Sequence, residues 1–60
     1  MTFTFYWLTG EKEFAKGSTP ANAFSNAGYA GGAISALDFY VDGKDDEYTW
    51  NKTTKTWNRK

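Results

Sequence analysis

The sequence has no cysteine and no histidine. The first absence excludes a disulfide framework and a thiolate metal site. The second removes the commonest metal ligand and the side chain that titrates nearest neutral pH. Proline occurs once, at Pro20. An excess of one charge is also missing, because seven basic and seven acidic residues cancel. A duplex-binding domain normally carries a basic excess, so this balance argues against duplex DNA as a partner. No apolar run approaches about 18 residues, which excludes a membrane-spanning helix. The opening MTFTFYWLTG carries no basic n-region and no small-residue cleavage site. A signal peptide is therefore not expected, and a cytoplasmic location is the default.

What the chain does have is aromatic mass: five Phe, four Tyr and three Trp in 60 residues. A chain this short forms one small domain and buries only about 60% of the surface its unfolded form exposes. Each ring can remove on the order of 150–250 Å² from water. Aromatic burial can therefore offset ordering entropy where no cross-link is present. An aromatic binding face is a second use for the same rings.

Hydrophobic periodicity places the elements. Phe3, Phe5 and Trp7 alternate with Thr2, Thr4 and Tyr6, the pattern of a half-buried strand. Gly10 supplies a turn. EKEFAKG reads as a more polar strand around Phe14, with flanking lysines that suit an exposed edge. Residues 2–17 are expected to form a β-hairpin. Ser18 or Thr19 then caps a helix with Pro20 at its first position, and Gly28 ends it in left-handed geometry. GGAISALDFY offers a second helical turn, with Ile34 and Leu37 three apart, so two short helices are expected over 19–37. From Asp38 the alternation resumes, with Phe39 and Val41 one way and Tyr40 the other. DGKDD is a turn, EYTWN a fourth strand and TWNRK a fifth, so 38–59 reads as a strand meander. The expected fold class is α+β in ββααβββ order, within a single domain spanning 1–60. It is an antiparallel sheet of four to five strands with a broken helical segment packed on one face.

Catalytic patterns are not met. Gly28, Gly31 and Gly32 lack the Gly-Lys-Ser/Thr ending of a phosphate loop, and they lie between helical pieces rather than inside a βαβ unit. The carboxylates Asp38, Asp42, Asp45, Asp46 and Glu47 cluster in sequence but lack the EF-hand spacing. Ser18, Ser25 and Ser35 have no histidine to activate them. A non-enzyme without cofactor or metal is expected. Tyr29, between two glycine-flanked points, either plugs the core or stands out as a contact.

EYTWNKTTKTW, residues 47–57, resembles the final hairpin of the immunoglobulin-binding domains of streptococcal protein G. Tyr48, Trp50 and Trp57 hold the aromatic places, and NKTTKT is the loop. The opening MTFTF is similar to that family's first strand. The resemblance implies a ββαββ fold with a helix across a four-stranded sheet. It also implies strand-side contact positions at Asp45, Glu47 and Tyr48. Pro20 and the three central glycines depart from the family's single long helix. Independently of the family, Trp50 and Trp57 flank a six-residue loop and can face each other across the strands. Tyr48 then lies opposite Arg59, placed for a cation–π contact.

Antiparallel sheets commonly leave one face wet, and Tyr6, Tyr40, Trp50 and Trp57 are the rings expected there. Together with Asp45, Asp46, Glu47 and Tyr48 they make up the expected partner-binding set. The expected function is a small non-enzymatic protein-binding module, a monomer or small homo-oligomer. By analogy with proteins of phages and mobile elements, it would inhibit a host protein. One alternative is single-stranded nucleic-acid binding, by exposed rings interleaved with Lys52, Lys55, Arg59 and Lys60. A second is an immunoglobulin-binding-like domain.

Overall fold

The computed structural model describes residues 1–29 and 31–60. Its strands are β1 (Thr2–Trp7), β2 (Lys12–Lys16), β3 (Leu37–Asp42), β4 (Tyr48–Asn51) and β5 (Thr56–Arg59). Between β2 and β3 lie helix α1 (Pro20–Asn26) and a 3-10 helix (Gly31–Ala36). The class is α+β, but the single sheet of four to five strands is not what forms. β2, β1 and β3 make one antiparallel sheet in that order, and β4 and β5 make a second. β3 leaves the last two strands and pairs with β1, on the side away from β2. The second helical piece is 3-10 rather than α, and Ile34 on it is exposed.

β1 is therefore central, and each face of it is covered by a different layer. Phe3, Phe5 and Trp7 face α1 and form the main core with Ala15, Ala23 and Phe24. The Phe5 and Phe24 rings meet edge to face at 5.6 Å. Thr4 and Tyr6 point the other way, toward the β4–β5 hairpin, and they too are fully buried. Burying each large side chain contributes about 1.5–3 kcal/mol. A five-residue run of buried positions in one strand, Phe3 to Trp7, accounts for how so short a chain assembles a core.

The helix ends follow from local chemistry. Thr19 is the N-cap, its Oγ1 accepting the Asn22 N–H at 3.0 Å. At the other end, the Tyr29 N–H donates to the Phe24 carbonyl and the Gly28 N–H to the Ser25 carbonyl. This pair of bonds is a Schellman closure. Gly28 has φ +92°, a region that a side chain disfavours. The closure brings the Tyr29 ring to 5.1 Å from Phe24 and 4.8 Å from Trp7. Its hydroxyl donates to the Glu13 carboxylate on β2. Of the two roles open to it, Tyr29 takes the one against the core, where it is half-buried.

Gly28→Val is expected to cost about 1–2 kcal/mol or more, since it forces a β-branched residue to positive φ. Ser25→Ala, one turn earlier and exposed, should change stability by no more than about 0.5 kcal/mol. Thermal melts of the two variants check this; equal midpoints would show that the closure at Gly28 is dispensable.

Candidate functional site

The residues expected to bind a partner divide into two groups. One group is gathered into a joint between the sheet and the C-terminal hairpin. Tyr6 is at its centre. Its ring stacks on Phe39 at 4.7 Å and takes Tyr48 and Trp57 edge-on at 5.2 and 4.8 Å. The Trp57 indole N–H donates to the Trp7 carbonyl at 2.8 Å. Trp50 stands opposite Trp57 in the hairpin, with the rings 5.4 Å apart. The Arg59 guanidinium lies 5.9 Å from the Tyr48 ring. The expectation that Tyr6 lies on an open face is thus overturned. It is completely buried, because the hairpin supplies a third layer that alternation in β1 does not reveal. Tyr48, Trp50 and Trp57 are half-buried in the same joint.

Asp45 secures the joint. Its carboxylate accepts the Tyr6 hydroxyl and, at 3.2 Å, the Glu47 N–H. Its own N–H donates to Thr4 Oγ1 at 2.8 Å, and Thr4 Oγ1 donates to the Gly43 carbonyl at 2.7 Å. One buried hydroxyl thereby fixes the start and the middle of the β3–β4 connection, a role for Thr4 that its sequence does not signal. Asp46 lies outside and pairs with Lys12 and Lys60. These ammonium groups, Lys12 first, hold the Asp46 carboxyl below its ordinary value. Glu47 is exposed, and its carbonyl accepts the Lys60 N–H at 2.8 Å, which closes the hairpin.

Tyr40 forms the other group, apart from the joint and from the exposed Asp46 and Glu47 at its rim. It lies opposite Phe5 in the β1–β3 register, so it is on the helix-bearing face, whereas Tyr6 is on the hairpin face. The two tyrosines expected to share a surface are on opposite sides of the sheet. Tyr40 is 48% exposed, and among the aromatic rings of the described residues its own meets Phe3, edge to face at 6.3 Å. Asp38 and Asp42 flank it on β3, both exposed. Among the described residues neither carboxylate has an ion-pair partner. The spacing LDFYVD holds this acid–ring–acid series at alternate positions, which is the signal that could have marked it.

The two edges of this sheet differ. On β2, Phe14 is 47% exposed, but its ring already has the Lys12 and Lys44 ammonium groups at 5.6 and 5.8 Å. Lysine on an edge strand discourages further pairing. β3 carries no lysine. No cavity and no cluster of metal-ligating side chains occurs among the described residues. No helix of the described residues is long and apolar enough to cross a membrane. Comparison with protein-family models, curated proteins and solved structures finds no match to the chain.

The Tyr6 hydroxyl is held well above the ordinary tyrosine value of 10.0, first by burial, then by its bond to Asp45 and the charges of Asp45 and Asp46. Tyr29 is raised too, first by its bond to Glu13. The neutral form is the one the fold favours, so the stability it adds is complete below about pH 10 and is lost as pH rises toward the folded-state value. Unfolding free energy should therefore decline above about pH 10. Tyr6→Phe should flatten that decline while costing roughly 1 kcal/mol at neutral pH. Denaturant titrations across the alkaline range check both. An unchanged alkaline slope in the variant would remove Tyr6 as its source.

Gly10 reports on the same joint. Its φ is +93°, and a Cβ there would lie 2.7 Å from the Trp50 indole nitrogen. Gly10→Ala should displace that ring, shift tryptophan emission to the red and destabilise by about 1–3 kcal/mol. Unaltered emission would mean that Trp50 does not rest on this turn.

Proposed function

We propose that the chain is a small non-enzymatic protein-binding module whose contact surface is centred on Tyr40. The observation that carries this reading is the contrast among the candidate rings. Tyr6, Tyr48, Trp50 and Trp57 pack into the joint, while Tyr40 stands half-exposed on a strand with an open edge. Interface anchors are enriched in tyrosine, and a few of them carry most of the binding energy. Asp38 and Asp42 surround this ring with negative charge, which acts mainly on encounter and orientation.

The alternatives draw less support. Stacking of single-stranded nucleic acid relied on rings that include Trp50 and Trp57, which face each other, Trp57 lying also against Tyr6 and Trp50 beside the Gly10 turn. Immunoglobulin-type contacts relied on Asp45 and Tyr48, together with Glu47, which is exposed. The carboxylate of the first is bound to Tyr6, and the ring of the second packs against Tyr6 and Phe39.

Tyr40→Ala should leave the melting midpoint close to wild type, within about 0.5 kcal/mol. It should weaken binding of a partner captured from lysate by about 2 kcal/mol, roughly thirtyfold. The check is titration of that partner against both proteins. Equal affinity would defeat a Tyr40-centred surface.

A further inference from the structure

We propose that the open edge of β3 takes an extended, basic segment of a partner polypeptide as a fourth, antiparallel strand of the β2-β1-β3 sheet. This rests on the protein-binding reading and names its mode and its partner's chemistry.

The backbone sets the phase. The Gly43 N–H donates to the Thr2 carbonyl. Ladder bonds alternate along an antiparallel pair, so Val41 and Phe39 direct their backbone groups toward β1. Tyr40 and Asp42 direct theirs away from it. Asp38 falls where the β1–β3 register shifts and has no partner residue on β1. Among the described residues, no other segment supplies hydrogen bonds to the outer side of β3. The result is a row of donors and acceptors that an added strand would satisfy.

Side chains select the occupant. Residues directly opposite in a ladder share a face. A strand added here would therefore set its alternate residues against Asp38, Tyr40 and Asp42. Lysine or arginine at the two outer positions and an apolar residue at the middle one complement that series.

A second copy of this chain fits less well. A two-fold pairing of β3 with β3 centred on Tyr40 sets Asp38 against Asp42 twice, and like charges directly opposite are destabilising. Pairing with β2 would set Lys12, Phe14 and Lys16 against that series, but Lys12 is bound to Asp46 of its own chain and the Phe14 ring already carries the Lys12 and Lys44 ammonium groups.

The test uses the intact protein and a synthetic peptide, acetyl-TKTVTKT-amide, followed by amide NMR. Shifts confined to Asp38, Tyr40 and Asp42, with slowed hydrogen exchange at Tyr40 and Asp42, are expected. The glutamate version, TETVTET, should bind roughly tenfold more weakly. Asp38→Lys with Asp42→Lys should reverse that preference. N-methylation of the facing valine and lysines should abolish binding, whereas N-methylation of the intervening threonines should be tolerated. Equal binding of the two methylated forms would reduce the contact to charge and overturn strand addition. Shifts mapping elsewhere would overturn it, as would a dimer that occupies the β3 edge. A peptide that fails while Tyr40→Ala still costs partner binding defeats strand addition and leaves the module standing. If partner binding is also indifferent to Tyr40, the underlying reading fails as well.

Discussion

The structure depends on burial of β1 from both sides. A strand in a small antiparallel sheet usually needs one cover. Here Phe3, Phe5 and Trp7 require the helical layer, and Thr4 and Tyr6 require the β4–β5 hairpin. Neither layer alone would close the domain. Without the hairpin the Tyr6 and Phe39 rings would be in water, and without α1 the Phe5 ring would lose Phe24. The 3+2 division of strands follows, since a hairpin lying across the face of a sheet cannot also extend its edge.

Polar atoms hold these layers in register. Tyr6 reaches Asp45, Tyr29 reaches Glu13, and the Trp57 indole reaches the Trp7 carbonyl. Each ring contributes apolar area and a single directed bond from its polar tip. Among the described residues, no buried side-chain nitrogen or oxygen lacks a partner. In a chain without cysteine, these bonds specify which packing of many aromatic rings is adopted.

Local features were legible in the sequence because their causes are local. The strand at Thr2–Trp7, the Pro20 start, the glycine closure at Gly28 and the Trp50–Trp57 pairing all rest on neighbours within a few positions. What alternation could not show is which strand lies beside which. β3 pairs with β1 across the whole helical segment, and no residue pattern announces that partner. The error at Tyr6 has the same origin. Its parity relative to Phe5 was readable, but the layer that covers its face comes from residues 48–59. Tyr40 also has readable parity. Its exposure arises because it sits on an edge strand where the helical layer leaves it half uncovered. Asp42 read as part of a turn and Asp38 as the start of a strand, and neither pattern showed that β3 would be the sheet's outer strand.

The same topology bears on how the domain assembles. β1 and β2 meet across one short turn at Gly10, and β4 and β5 across another. β1 and β3, by contrast, are joined by contacts such as Thr4 to Gly43, 39 positions apart. Closing so long a span consumes chain entropy before any contact offsets it, and such non-local pairing slows folding. The C-terminal hairpin can form early, yet its aromatic side has no complete platform until Phe39 lies beside Tyr6. Docking of β3 is the non-local step that this arrangement expects to be slow, and the hairpin layer, which rests on Phe39 as well as Tyr6, is complete only once it is in place.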